Sequence, residues 1–121
     1  MKILIIDDEP DIVTFLSTWL EDQGYETCSA ADGHQGMQAI LRENPDLVLL
    51  DLQMPEQTGI QLYRELRQHQ TFKHLPVIFI TGMANVQIYG SECAALPGPE
   101  ATIDKPINLQ TLEAAIKQIL D

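Results

Sequence analysis

The sequence predicts an α/β fold: a doubly wound, five-stranded parallel sheet in the order 2-1-3-4-5, with five helices on its two faces and the fourth of them irregular. Three observations predict it. Short apolar runs alternate strictly with helical patterns along the whole chain, which is the mark of repeated strand–helix units. The clearest runs are unbroken and partly β-branched rather than alternating with polar residues, as expected of parallel strands covered on both faces. Polar residues close four of the five runs, and in open sheets of this kind ligands bind beyond the carboxyl ends of the strands.

The first run is Ile3-Leu4-Ile5-Ile6, closed by Asp7 and Asp8. A helix follows. Pro10 suits its first turn, Ile12, Phe15, Leu16, Trp19 and Leu20 line its buried face, and Gly24 stops it. A weaker strand covers Glu26–Ala30. Asp32-Gly33 then opens a second helix carrying Met37, Ile40 and Leu41. It ends at Asn44-Pro45, because a residue before proline is pushed out of helical geometry. The third strand, Leu47-Val48-Leu49-Leu50, runs into Asp51, and a loop over 52–59 leads to a helix with Ile60, Tyr63 and Leu66 on one side.

Pro76 precedes the fourth strand, Val77–Thr81. Residues 82–100 carry the weakest pattern: one short helix around 84–95, then the breakers Leu96-Pro97-Gly98-Pro99. A fifth strand over Ala101–Asp104 leads into Lys105-Pro106. The last helix takes Asn108 as N-cap and buries Leu109, Leu112, Ile116 and Ile119. Right-handed crossovers follow from chain chirality.

The 121 residues read as one domain, 1–121, with no repeat, linker or low-complexity tract. Seven Lys plus Arg against 18 Asp plus Glu leave a net charge of −11. That argues against direct binding of DNA, RNA or anionic lipid, whose phosphates demand Lys and Arg, and it suits a cation. No apolar run approaches the roughly 18 residues that a membrane span requires. The opening MKILIIDDEP is no secretory signal, since four apolar residues run straight into acids. A cytoplasmic protein is expected, with Cys28 and Cys93 as reduced, mostly buried thiols. His34, His69 and His74 show no ligand spacing and are read as surface or loop residues.

The strand ends carry the chemistry. Asp7 and Asp8 follow the first strand, Asp51 the third, Thr81 the fourth and Lys105 the fifth. Taken singly, each has an ordinary explanation as a helix cap, a strand residue or a solvated charge. Taken together, in this topological order, they form a set. Strands one and three are neighbours, so three carboxylates meet at the crevice, and close carboxylates repel unless neutralised. Magnesium is the natural counter-ion: a hard cation that takes one or two carboxylates and keeps waters for a phosphate. Asp51 is then a candidate nucleophile for an acyl phosphate, with Lys105 as a second cation and the Thr81 hydroxyl as a donor. Gly82, with no side chain, is expected to leave the approach to that site open.

The segments IIDDEP, LVLLDLQMPEQTG, VIFITG and DKPI resemble the receiver domains of two-component response regulators, over essentially residues 2–120. The resemblance implies the flavodoxin-like receiver fold and a phospho-accepting switch. Carried over residue by residue, Asp51 matches the phospho-acceptor. Asp7 and Asp8 match the acidic pair that holds magnesium, Asp8 directly and Asp7 largely through water. The Gln53 backbone carbonyl matches a further ligand, Thr81 the switch hydroxyl and Lys105 the phosphate-contacting lysine. A cis Lys105-Pro106 bond is also implied. The implied partners are a sensor histidine kinase or phosphotransfer protein, with room for an output domain or effector protein and for a homodimer.

Self-catalysed phosphorylation and dephosphorylation of Asp51 would be the only reactions, so the chain does not read as an enzyme with a separate product pool. Met1 opens the first strand directly, which reads as a natural start, either of a stand-alone receiver or of the amino-terminal piece of a longer regulator.

Two departures stand out. Thr102 occupies the position, three before the lysine, where the family commonly has Tyr or Phe. The connection before the fifth strand is the longer Leu96-Pro97-Gly98-Pro99-Glu100. Without a ring at Thr102, a switch would act on residues 82–100 more than on the fifth strand. The second reading is a degenerate receiver acting as a phosphorylation-independent protein-interaction module. An aspartate-nucleophile phosphohydrolase would need a second Asp that the run DDEPD lacks at the required offset. A flavin binder would need a Ser/Thr-rich loop after the first strand.

Overall fold

The computed structural model describes residues 1–82 and 98–121, with Gln57 as backbone only. Five parallel strands, β1 (Lys2–Ile6), β2 (Glu26–Ala30), β3 (Leu47–Asp51), β4 (Val77–Thr81) and β5 (Ala101–Asp104), form one sheet in the order β2-β1-β3-β4-β5. The described helices are α1 (Pro10–Asp22), α2 (Gly33–Glu43), α3 (Thr58–Arg67) and α4 (Leu109–Leu120). The short helix expected around 84–95 and Cys93 lie outside the described residues.

The unbroken apolar runs are explained by burial on both faces. Successive side chains of a strand point to opposite sides. Ile3, Ile5, Leu47, Leu49, Ile78, Ile80 and Ile103 therefore join Leu16 and Leu20 of α1 and Leu112 and Ile116 of α4 in one core. Leu4, Ile6, Val48, Leu50, Val77 and Phe79 join Ala39 and Ile40 of α2 and Ile60, Leu62, Tyr63 and Leu66 of α3 in the other. The interior strands β1, β3 and β4 thus contribute to two cores at once, and their last residues lie at the carboxyl edge of the sheet.

Local signals account for most element ends. Asp32 caps α2 by accepting a hydrogen bond from Gln35 N, and Asn108 caps α4 by accepting from Thr111 N. Pro10 opens α1. α2 ends at Asn44 as expected: the residue before Pro45 leaves the helix with φ 48°, in the left-handed region that asparagine tolerates.

Two members of the expected buried stripes face solvent. Phe15 is 48% exposed and Leu41 61% exposed. Each directly precedes or follows a fully buried neighbour, Leu16 or Ile40, and one residue turns the helix by about 100°. Trp19 packs part-buried against the α1 side of the sheet. Cys28 is only half-buried, and burial pushes its thiol pKa up. His34 and His74 are exposed and His69 is half-buried. No helix among the described residues is long and apolar enough to cross a membrane.

Candidate functional site

Parallel pairing brings the ends of β1 and β3 side by side, Ile6 opposite Leu50. The next residues, Asp7 and Asp51, emerge at the same edge. One carboxylate oxygen from each of Asp7, Asp8 and Asp51 lies within 4.8 Å of the others. Asp7 and Asp51 are buried, 3% and 1% exposed, whereas Asp8 is exposed.

The site is built from short turns. Glu9 N donates to Asp7 Oδ1 at 2.9 Å and Gln53 N to Asp51 Oδ1 at 2.9 Å, so each buried carboxylate is fixed by the amide two residues on. Gly59, in the first turn of α3, sits against the Asp51 backbone. A Cβ there would stand 2.6 Å from the Asp51 carbonyl oxygen, so only glycine lets α3 start this close.

β5 delivers the cation. Lys105 N donates to Thr81 O at 2.9 Å, which extends the β4–β5 ladder by one step. The side chain then reaches back, with Nζ 3.5 Å from Asp51 Oδ1 and 3.9 Å from Glu9 Oε1. The Lys105–Pro106 bond is cis, as the resemblance implied. Asp51 Oδ1 is thus held from two sides. Its Oδ2 has no hydrogen-bond partner among the described residues, although it is buried. Thr81 is fully buried at the end of β4, where Asp51 pairs with Ile80.

Gly82 carries a neighbour that the pattern did not suggest. The Gln53 side chain folds over it, and Gly82 N donates to Gln53 Oε1 at 2.8 Å. The Gln53 side chain thus crosses from the end of β3 to the end of β4, a contact no local pattern records.

Two further residues were missed for the same reason. Glu9 joins Lys105 across the crevice. Arg67 pairs with Glu100 at 3.1 Å beneath β4.

Burial raises the Asp7 pKa from 3.8 to about 6, with the Asp51 charge adding to it and the Glu9 N–H and Lys105 opposing it. The unfolded chain has no such shift. Between about pH 4 and about pH 6 the folded state binds more protons through this group, so its contribution to stability is full below about 4 and lost as pH rises through about 6. With chelator present, the stability of the wild type relative to Asp7→Asn is therefore expected to fall across that window and stay low at pH 7. Urea melts at a series of pH values check it; a difference that rises with pH would contradict the assignment.

Residues 3–117 match the response regulator receiver domain family, and the chain belongs to that family of signalling domains in two-component systems. It is 40% identical over 121 residues to the probable transcriptional regulator ycf27 of Porphyridium aerugineum, covering 98% of this chain and 48% of that protein. It is 39% identical over 124 residues to the transcriptional regulatory protein CpxR of Klebsiella pneumoniae, covering 98% and 49%. The chain spans about half the length of these relatives. Among solved structures, the chemotaxis protein CheY4 of Vibrio cholerae superposes with a TM-score of 0.86 at 28% identity, covering 98% of both chains. The BeF3-activated N-terminal receiver domain of Klebsiella pneumoniae RstA gives 0.81 at 28% identity, covering 99% and 98%.

Proposed function

We propose that this chain is a phospho-accepting receiver, a single domain over residues 1–121, that takes a phosphoryl group from a sensor histidine kinase or phosphotransfer protein onto Asp51. One observation carries the reading most: Asp51 has one oxygen held by the Gln53 N–H and Lys105, and the other without a partner among the described residues. A carboxylate fixed in this way presents Oδ2 as the nucleophile. Its lone pair forms the new O–P bond while the P–N bond of a phosphohistidine breaks, and the departing nitrogen keeps the pair. Lys105 stays beside the reacting carboxylate and offsets charge there. The Thr81 hydroxyl, on the neighbouring strand end, is the donor for a phosphoryl oxygen.

The acidic set fits magnesium. Three carboxylates converge, two of them buried, and the raised Asp7 pKa reflects that burial and the neighbouring Asp51 charge. Asp7, Asp8, Asp51 and the Gln53 carbonyl would hold the ion, Asp7 largely through water. When bound it would neutralise charge on the phosphoryl oxygens. Magnesium is accordingly expected to raise the melting temperature by mass action, and Asp8→Ala to remove most of that shift. Melts with and without magnesium test it; an unchanged shift in the variant would place the ion elsewhere.

Incubation with acetyl phosphate and magnesium, followed by intact mass, tests the function itself. An adduct of about 80 Da is expected. A chain that stays unmodified would instead be an interaction module that works without phosphorylation. The output goes to a further domain or effector protein in the cytoplasm, with no direct contact to nucleic acid, consistent with the net charge of −11. Thr102 is exposed on β5 and offers no aromatic rotamer to the switch. The response expected over 82–100 falls mostly on residues outside those described.

A further inference from the structure

We infer that the Gln53 carboxamide is a positioning group that holds the Gly82 N–H in the resting protein and competes for it with the phosphoryl group on Asp51. The inference rests on Asp51 being the acceptor.

Gln53 spans the crevice. Its backbone N–H donates to Asp51 Oδ1 at 2.9 Å, while its side-chain Oε1 accepts from Gly82 N at 2.8 Å. One residue therefore links the reacting carboxylate to the end of β4. The carboxamide lies directly on the glycine: a Cβ at Gly82 would stand 2.8 Å from Oε1 and 3.4 Å from both Cδ and Nε2. Any side chain at Gly82 would push it away.

The bound amide is a donor worth competing for. Gly82 follows Thr81 at the end of β4, and β4 pairs with β3, which ends in Asp51. Asp51 pairs with Ile80, so Gly82 N lies two residues further on, just past the strand end, beside the place where the phosphoryl anion forms. A phosphoryl group brings about −1.5 to −2 charges and strong acceptor oxygens. Hydrogen bonds to such a group are stronger than those to a neutral carboxamide. Phosphorylation therefore exchanges the Gln53 acceptor for a better one and releases the side chain, which is exposed and meets water at little cost. The resting bond opposes that exchange. Removing it favours the phosphorylated state by the bond's net worth, since only a differential interaction shifts a two-state equilibrium.

Gln53→Met keeps the length and removes the acceptor; Gln53→Glu keeps the acceptor. The probes are the exchange rate of the Gly82 amide proton by NMR without ligand, and beryllofluoride affinity at saturating magnesium. Gln53→Met is expected to speed Gly82 exchange and to tighten beryllofluoride about fivefold, roughly 1 kcal/mol. Gln53→Glu is expected to keep Gly82 protected and to bind beryllofluoride more weakly than the wild type. Equal Gly82 exchange in wild type and Gln53→Met would overturn the resting bond. Faster exchange with unchanged beryllofluoride affinity would overturn the competition. A wild type that shows the Gly82 protection yet binds no beryllofluoride would overturn the reading of Asp51, and the competition with it.

Discussion

Asp51→Asn is expected to abolish the phosphoryl adduct completely, leaving the intact mass unchanged after incubation with acetyl phosphate and magnesium. The substituted side chain keeps its shape, and its carbonyl oxygen can still accept from the Gln53 N–H that now bonds Asp51 Oδ1 at 2.9 Å. What it loses is the anionic Oδ2. A carboxamide is a poor nucleophile toward phosphorus, so the loss is chemical rather than structural. The substitution should also relieve the crowding of buried carboxylates. Asp51 is 1% exposed and its charge helps to raise the Asp7 pKa. The variant is therefore expected to fold at least as well as the wild type without magnesium, with Asp7 titrating closer to an ordinary aspartate. Intact mass and a melt in chelator read the two effects separately. A surviving adduct of about 80 Da would mean that another residue is modified.

The largest stability loss is expected at Arg67, remote from the carboxylates. Its side chain is 2% exposed, yet it carries a full charge. Nη2 donates to Glu100 Oε1 at 3.1 Å, Nη1 to Leu75 O at 2.8 Å and Nε to the Tyr63 hydroxyl at 3.1 Å, and the guanidinium lies 4.7 Å from the Tyr63 ring centroid. Glu100 completes the arrangement. Its Oε1 also accepts from Val77 N at 2.7 Å, and its own N–H donates to Val77 O at 2.9 Å.

Arg67 thus pins the chain where it re-enters the sheet just before β5, the strand that delivers Lys105. Arg67→Ala strips a partner from the Leu75 carbonyl, from the Lys73 carbonyl that Nη1 also reaches at 3.4 Å, and from the Tyr63 hydroxyl, and opens a void. A loss of about 3 kcal/mol is expected, which in a domain of this size lowers the melting temperature by roughly 10 °C. Glu100→Ala should cost less, because Arg67 keeps Leu75 O and Tyr63, and Glu100→Gln less again, because it retains an acceptor for Val77 N. Thermal melts of the three variants test that order. Equal, small losses would show that the network is solvated rather than buried.

The gap between reading and structure follows the reach of each interaction. Strand and helix identity rests on short-range pattern, so Ile3-Leu4-Ile5-Ile6, the opening of α2 at Asp32-Gly33 and the Asn108 cap were legible directly. The convergence of Asp7, Asp8 and Asp51 was legible too, because topology alone forces the ends of neighbouring parallel strands together. Periodicity was less able to say how wide a buried stripe is, and Phe15 and Leu41 show the error.

The contacts that escaped are those between side chains far apart in the chain. Gln53 meets Gly82 across 29 positions and Arg67 meets Glu100 across 33. Their partners are chosen by the crossing of β3, β4 and β5 and by which backbone N–H groups the sheet leaves over. The residue pattern alone dictates the alternation of strands and helices, the two-faced burial of the sheet and the acidic, lysine- and threonine-bearing set at its carboxyl edge. Which Asp51 oxygen is held, what covers Gly82 and what pins the entry to β5 are settled only in three dimensions, because each depends on distances that arise once the strands lie side by side.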